Sequence, residues 1–445
     1  MEISTDKNNT PENPRLTVLK ALNKVFGQDG YSNIVLDNAL EESGQSGRDA
    51  SFVSALFYGV IERKITLDYI ISRLSSIRLK KIDPQILNIL RMGVYQMYFM
   101  DKVPESAAVN ESVKLSKKVY NGRFSAFANA VLRSAGRERK NIKYPPENKI
   151  TEFLSVKYSC PEKLVEHFIK SCGRESAEGI LKKSLTAPPV VVRVNSNLMK
   201  TEELIQRLER RGVKAKCFTD IPYALELSEV GSIEALDEHK NGYFHVQDIS
   251  SQLCCHALSP DSGDKVADVC AAPGGKTYTI AQMMEGKGEI LACDKYPEKQ
   301  RLIESGAKRL GLDNIKTIVR DAAGERLPEM YDKILVDAPC SGLGVIRRKP
   351  EIKYKDFESN LPEIQLEILE NSSKYVKKGG IMVYSTCTIN PSENEDVVND
   401  FLEKNKDFSL LEKELPIVGK TSMITLLPHL YDTDGFFIAI MTRKG

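Results

Sequence analysis

The first third of the chain carries apolar residues at helical spacing. Between positions 16 and 139 they recur every three or four residues, as in the run Phe52, Ala55, Leu56 and Val60. Asp83-Pro84 has the composition of a helix start, with proline in the first turn. Since alternating strand patterns do not occur in this stretch, residues 15–141 are predicted to form an all-helical bundle. Residues 1–14 are polar, and we expect a disordered tail rather than a signal peptide.

Short helices and strands alternate in the next hundred residues. Two amphipathic helices are predicted between positions 150 and 185, followed by a β-branched strand over Val190–Val194. A helix from Thr201 to Arg211 and an alternating strand around Ala215 come next. We therefore expect a small α+β module over residues 146–241.

From residue 242 to 445, apolar strands alternate regularly with amphipathic helices. The predicted strands are 265–269, 289–293, 315–319, 334–336, 381–384 and 436–441, and the clearest helices are 297–310 and 362–376. This order is typical of an α/β Rossmann-like domain with a mostly parallel sheet. In such sheets ligands bind at the carboxyl ends of the strands.

Two of these predicted strands lead directly into a cysteine. Cys340 follows the apolar run that ends at Asp337, and Cys387 follows the run that begins at Ile381. Both thiols are therefore predicted at the ligand-binding edge, which favours a site with a soft nucleophile and a second thiol beside it. Free cysteines are also often small buried hydrophobes, and either thiol alone remains open to that interpretation.

A glycine turn after the first strand of this domain is a candidate nucleotide-binding loop. It opens a helix and comprises Cys270, Ala271, Ala272, Pro273, Gly274, Gly275 and Lys276. Asp294 ends the next strand, where an acid accepts hydrogen bonds from ribose hydroxyls, and Asp321 ends the third strand, within reach of an adenine edge. The arrangement suits an adenosyl ligand, although the loop alone does not say which one.

Two other nucleotide-binding motifs are disfavoured. Gly275-Lys276-Thr277 also ends phosphate-binding loops, but Cys270 stands where such a loop has glycine, and Pro273 removes an N–H from the cradle. A dinucleotide oxidoreductase would need GxGxxG at this turn, and the turn lacks it.

Composition and charge add a nucleic-acid hypothesis. The 445 residues, 41% hydrophobic and 28% charged, are typical of a soluble multidomain protein. Although the net charge of the chain is only +2, residues 62–143 form a basic stretch with 17 Lys and Arg and 7 Asp and Glu. Such a stretch favours nucleic-acid binding, although solvated helix faces give the same count. Nine scattered cysteines and five histidines without CxxC spacing predict reduced thiols, a cytoplasmic protein and no metal site.

Together these motifs resemble the S-adenosylmethionine-dependent RNA cytosine-C5 methyltransferases. The stretches that carry the resemblance are 268–277, 337–344, 385–388, 244–252 and 345–352. One departure is Lys349, where histidine is common in the family. The helical part, through residues 108–113 and 127–133, resembles a NusB-type RNA-binding domain. The combination is similar to the RsmB/Sun/Fmu family of 16S rRNA methyltransferases.

The resemblance implies a role for each candidate residue. It implies that Cys387 attacks carbon 6 of cytosine, that Cys340 aids proton removal and release, and that Asp337 holds the cytosine amino group or protonates ring N3. S-adenosyl-L-methionine is then expected on residues 270–276, Asp294, Asp321 and Asp337. The implied partner is 16S rRNA, and we expect a monomer without membrane or metal.

Some alternatives stay open at this level. Spacing by itself does not decide which cysteine attacks. A helix start near Pro391 would help Cys387 to ionise, although Glu393 and Glu395 oppose it. A zinc deaminase also acts on cytosine but needs HxE and PCxxC, and neither pattern occurs. A non-catalytic RNA-binding or assembly factor that retains a methyltransferase fold is the competing hypothesis.

Overall fold

A computed structural model describes residues 12–28, 30–139 and 143–445. The chain divides into two compact units: unit 1 contains residues up to Thr186 together with Ile346–Lys355, and unit 2 contains Ala187–Val345 and Asp356–Gly445. This division does not follow the expected domain bounds 15–141, 146–241 and 242–445, which stay predictions. Most of the expected tail, and the expected end of the bundle at 141, lie outside the described residues.

Unit 1 is built from helices, as the apolar spacing predicts. Asp83 caps the fifth helix, because its carboxylate accepts hydrogen bonds from the N–H groups of Gln85 and Ile86. Leu22, Phe57 and Leu132 from different helices are fully buried in one apolar core. The helices are α1 Pro14–Gln28, α2 Ser32–Ser43, α3 Gly47–Glu62, α4 Lys64–Leu74, α5 Pro84–Phe99, α6 Glu105–Tyr120, α7 Ser125–Glu138, α8 Ile150–Tyr158 and α9 Glu162–Lys183.

Unit 2 begins with a four-stranded antiparallel sheet in the order β2-β3-β1-β4. Its elements are β1 Val190–Val194, α10 Thr201–Arg210, β2 Lys214–Cys217, β3 Ala224–Ser228, α11 Asp237–Lys240 and β4 Phe244–Val246. Leu204 and Leu208 of α10 pack on the buried face of the sheet. The apolar pattern predicts β1, α10 and β2, whereas β3 and β4 are not predicted.

The rest of unit 2 is a larger, mostly parallel sheet. Strands β5 to β9 run parallel in the order β9-β8-β5-β6-β7, and β14 pairs antiparallel with β9. The elements are α12 Ile249–Leu258, β5 Lys265–Asp268, α13 Gly275–Met283, β6 Glu289–Asp294, α14 Pro297–Leu310, β7 Ile315–Val319, β8 Tyr331–Asp337, α15 Leu361–Ser373, β9 Val376–Thr386, α16 Glu395–Lys404, β10 Phe408–Leu410, β11 Lys413–Leu415, β12 Gly419–Thr421, β13 Met423–Leu426, α17 Pro428–Tyr431 and β14 Phe436–Arg443. The predicted Rossmann-like architecture is confirmed.

The helices of the described residues lack the character of membrane-spanning segments. Among the described residues, none of them combines the length and the apolar content that crossing a bilayer requires.

Candidate active site

The carboxyl ends of β8 and β9 bring the two cysteine-bearing loops together. These strands are parallel neighbours, and Asp337 at the end of β8 pairs in register with Ser385 of β9. Cys340 lies three residues beyond Asp337, and Cys387 directly follows β9. Both thiols therefore lie at the sheet edge where the sequence pattern predicts them.

The two thiols lie in direct contact. The sulfur atoms of Cys340 and Cys387 are 3.1 Å apart, and both side chains are half-buried. The hydrogen bond with Cys387 raises the pKa of Cys340 well above its ordinary value, and burial and the charge of Glu393 act in the same direction. Cys340 therefore keeps its proton, which it can donate to the Cys387 sulfur.

Asp337 is held at the same edge by two donors. Its Oδ2 lies 2.7 Å from Lys276 Nζ, and its Oδ1 accepts a hydrogen bond from Ser385 Oγ at 2.8 Å. Lys276 belongs to the first turn of α13, and its ammonium also faces the Phe436 ring, 5.0 Å from the ring centre. Each carboxylate oxygen of Asp337 retains a lone pair for a further donor. Lys276, predicted for cofactor binding, thus contacts a predicted catalytic carboxylate.

The glycine loop, residues 270–276, follows β5 and includes the start of α13. Gly274 has a φ of 109°, and a Cβ at this position would lie 2.3 Å from the Tyr278 ring. The Gly274 N–H donates to the Ala271 carbonyl at 2.7 Å, which closes the turn before α13 begins at Gly275. The loop therefore presents a helix N-terminus directly after a parallel strand, an arrangement that binds polar and anionic ligand groups.

Two acids flank this loop at the ends of the next strands. Asp294 accepts hydrogen bonds from the N–H groups of Ala272 at 3.3 Å and Tyr296 at 3.2 Å, which ties the end of β6 to the loop. Asp321, beyond β7, lies 2.7 Å from Lys295 Nζ, and this contact lowers the pKa of Asp321. The carboxylates of Asp294 and Asp321 are hydrogen-bond acceptors, and the N–H groups at the start of α13 are donors. Together they form the set that an adenosyl ligand needs. The residues present therefore fit S-adenosylmethionine.

Three other cysteines near the loop, Cys254, Cys255 and Cys270, pack in the apolar cores of unit 2. Burial, followed by the charge of Asp268, raises the pKa of Cys270 well above its ordinary value, so this thiol stays protonated. Cys254 and Cys255 are fully buried in the core of unit 2.

Sequence reasoning missed the contacts that hold the two loops together. The sequence indicates Ser385 only as part of the family-like stretch 385–388, and Glu393 only as an acid near a helix start. In the structure the Glu393 carboxylate accepts a hydrogen bond from the Ser341 N–H at 2.8 Å. Because these residues are separated by 52 positions, no local pattern could have indicated this contact.

Family models match most of the chain. The model described as 16S rRNA methyltransferase RsmB/F matches residues 255–442, and the NusB family model matches residues 12–137. A third model, the ferredoxin-like domain of RsmF/B-like methyltransferases, matches residues 160–234.

Similar proteins match most of this chain. A probable ribosomal RNA small subunit methyltransferase B from Bacillus subtilis (strain 168) is 38% identical over 96% of this chain and 98% of its own length. Ribosomal RNA small subunit methyltransferase B from Escherichia coli O7:K1 is 30% identical, over 90% of this chain and 92% of its own. Among solved structures, NSun6 from Pyrococcus horikoshii, determined with SFG, has a TM-score of 0.59 and 26% identity, over 64% of this chain and 98% of that chain.

Proposed function

Because the chain belongs to the RsmB/F family of S-adenosylmethionine-dependent rRNA methyltransferases, we propose that it methylates carbon 5 of a cytosine in 16S rRNA through a covalent cysteine–cytosine adduct. The observation that carries the proposal is the pair of thiols, 3.1 Å apart, at the strand ends that also hold Asp337. A base must be unpaired or turned out of a helix to reach such an edge.

Cys387 is the proposed nucleophile. Carbon 5 of cytosine is a poor nucleophile until a thiolate adds to carbon 6, because the new C–S bond makes carbon 5 enamine-like. The raised pKa of Cys340 favours its protonated form, so we assign the proton of the thiol pair to Cys340 and the negative charge of a singly ionised pair to Cys387. S-adenosylmethionine, when bound, supplies an electrophilic methyl group at this site.

Cys340 then assists the second half of the reaction. Once the Cys387 sulfur is bonded to carbon 6, it no longer carries the charge and hydrogen bond that raise the pKa of Cys340. Cys340 can therefore release its own proton to solvent at this stage, and the resulting thiolate then accepts the proton from carbon 5. The electrons of the broken C–H bond restore the ring double bond, and the Cys387 thiolate leaves.

The carboxylate of Asp337 is proposed to orient the base. Lys276 and Ser385 each donate to one of its oxygens, which fixes the carboxylate plane. The remaining lone pairs accept hydrogen bonds from the exocyclic amino group of cytosine, a donor that uracil lacks. The methyl donor S-adenosylmethionine would be held by residues 270–276, Asp294 and Asp321, with Asp337 close to it.

Methyl transfer to protein-free 16S rRNA from a strain lacking this gene tests the proposal. With tritiated S-adenosylmethionine, the wild-type protein should label one cytosine, identified by mapping of the modified base. Cys387→Ala should lower the rate at least about a thousandfold, since the adduct cannot form. Cys340→Ala should accumulate a covalent RNA–protein complex, visible as a slow band on a denaturing gel.

Cys217→Ala is the matched control for these variants. Cys217 is exposed on β2, outside the cysteine pair, and its variant should keep the wild-type rate without forming the slow band. Label incorporated by Cys387→Ala at the wild-type rate would contradict the nucleophile assignment. Label found on a base other than cytosine would contradict the proposed substrate.

A further inference from the structure

Glu393 is a buried carboxylate that contacts the loops of both cysteines. The residue is only 1% exposed and lies in a short 3-10 turn after Cys387. Its Oε2 accepts hydrogen bonds from the Ser341 N–H at 2.8 Å and from Gln365 Nε2 at 3.1 Å. Its Oε1 accepts from Ser341 Oγ at 2.5 Å and from Asn390 Nδ2 at 3.0 Å.

These partners lie close to the thiols in sequence or contact residues that do. Ser341 directly follows Cys340, and Gln365, which bonds Glu393, also donates to the carbonyl of Pro339 on the other side of Cys340 at 2.9 Å. On the second loop, the Thr388 hydroxyl next to Cys387 lies 2.9 Å from Ser341 Oγ. One carboxylate therefore connects the residues on both sides of Cys340 with those that follow Cys387.

The partners of Glu393 named above are all neutral groups. A buried carboxylate is costly unless hydrogen bonds satisfy it, so the surrounding donors have to stay in place around it. The loops are thereby held in one relative position, since moving either of them would leave the charge with fewer donors. Glu393, which the sequence indicates only as an unfavourable charge near a helix start, is instead hydrogen-bonded to both cysteine loops.

We propose that Glu393 is a positioning residue that holds the Cys340 loop against the Cys387 loop and so keeps the two thiols in contact. The inference rests on the proposed function, because it assigns Glu393 to the cysteine pair of that reaction. Glu393 acts through its hydrogen bonds with Ser341, Gln365 and Asn390. Its negative charge also favours the protonated form of Cys340.

Thiol proximity can be measured without RNA or methyl donor. Diamide oxidises two neighbouring thiols to a disulfide: one S–S bond forms, and diamide takes up the two hydrogens to become a hydrazine. In the wild type the Cys340–Cys387 disulfide should form readily, because the sulfur atoms lie 3.1 Å apart. In Glu393→Gln an NH2 group replaces one carboxylate oxygen and cannot accept the hydrogen bonds that this oxygen accepts. The loops are then held less firmly, and formation of this disulfide should slow by about tenfold or more. Peptide mass mapping shows whether the disulfide joins Cys340 to Cys387 or involves another of the free cysteines.

Activity supplies the second readout. Single-turnover methyl transfer by Glu393→Gln should fall by about tenfold or more while the KM for RNA stays at the wild-type value, because the thiols rather than the RNA contacts are displaced. Asp396→Asn is the matched control: this acid is exposed on α16, three residues along the chain, and its variant should behave as wild type in both assays.

Ser341→Ala provides a second test of the proposal in case Glu393→Gln does not fold. It removes the hydroxyl contact to Glu393 but keeps the backbone N–H contact, so both rates should lie between those of wild type and Glu393→Gln. Disulfide formation at the wild-type rate in both folded variants would overturn the proposal. If Glu393→Gln does not fold, wild-type disulfide formation in Ser341→Ala alone would overturn it. Because the oxidation needs no substrate, its outcome stands even if Cys387 proves not to be the nucleophile.

Discussion

At the scale of single residues, Asp268 couples protonation to folding. It lies at the end of β5, is 1% exposed, and its Oδ2 accepts a hydrogen bond from Thr277 Oγ1 at 2.7 Å. Burial raises the pKa of Asp268 to about 7; the Thr277 hydrogen bond opposes this shift, and the charge of Asp337 adds to it. Between pH 3.8 and about 7 the folded state therefore keeps a proton that the unfolded chain, with an ordinary pKa of 3.8, has already lost.

This shift predicts a pH dependence of stability with a definite sign. Because the folded pKa is the higher one, the stability associated with Asp268 is fully present below pH 3.8 and is lost as the pH rises through about 7. Asp268→Asn cannot ionise, so between pH 5 and pH 7 its unfolding free energy should gain about 2 kcal/mol relative to wild type. Denaturant titrations of both proteins across this range measure the difference. Parallel pH curves would contradict the expectation.

At the scale of elements, two glycines let the loop after Cys340 approach the turn before β14. The Gly344 N–H donates to the Cys387 carbonyl at 3.0 Å, and the Gly435 N–H donates to the Gly344 carbonyl at 2.8 Å. A Cβ at position 344 would lie 1.8 Å from the Gly435 carbonyl oxygen. The backbone of one cysteine loop is thus hydrogen-bonded to the other, which complements the contacts of Glu393.

Gly344→Ala should disturb both stability and activity. The added methyl group has no room, so the two backbones must separate, at a cost of about 1–3 kcal/mol. The hydrogen bond to the Cys387 carbonyl then lengthens, and single-turnover methyl transfer should fall together with the melting temperature. Gly231→Ala serves for comparison, because a Cβ there meets nothing within 4 Å, and it should leave both quantities close to wild type.

At the scale of the whole molecule, a segment far along the chain completes unit 1. Residues 346–355 follow the Cys340 loop in sequence but belong to the helical unit. The Glu351 carboxylate accepts hydrogen bonds from the Ser32 N–H at 3.1 Å and the Ser32 hydroxyl at 2.7 Å. Lys353 Nζ donates to the Glu62 carbonyl at 2.9 Å, and the Tyr354 hydroxyl donates to the Ile61 carbonyl at 2.8 Å. The helical unit therefore depends on residues from a distant part of the chain.

Removing the Glu351 carboxylate should loosen the start of α2. Glu351→Ala leaves two buried donors of Ser32 without their acceptor, which costs about 1–3 kcal/mol. Hydrogen exchange of the amides in Ser32–Ser43 should accelerate, and this measurement reports on that helix without assuming two-state unfolding of the whole chain. Glu41→Ala removes an exposed carboxylate from the same helix and should leave these exchange rates unchanged. Equal exchange in both variants would show that the Glu351 contact contributes nothing.

The sequence alone was sufficient for those elements whose signal is local. Strands Val190–Val194 and Ile315–Val319 and helix Pro297–Leu310 begin and end where the apolar pattern predicts, because side-chain periodicity and turn residues act over a few positions. Strands β3 and β4 escaped prediction, since short antiparallel strands are stabilised by their neighbours rather than by their own pattern. The helix predicted to reach Val376 ends at Ser373, because Val376 joins β9 beside β8.

The candidate site likewise has features that the sequence predicts and features that only the tertiary structure decides. The order of strands and the residues at their ends placed Cys340, Cys387, Asp294 and the glycine loop at one edge, because parallel strands end on the same side of a sheet. Only the tertiary structure decided that the two sulfur atoms touch, that Lys276 pairs with Asp337, and that Glu393 joins the two loops. Local pattern determines which residues can reach the edge, whereas distances between them depend on strand register and on contacts between residues far apart in the chain.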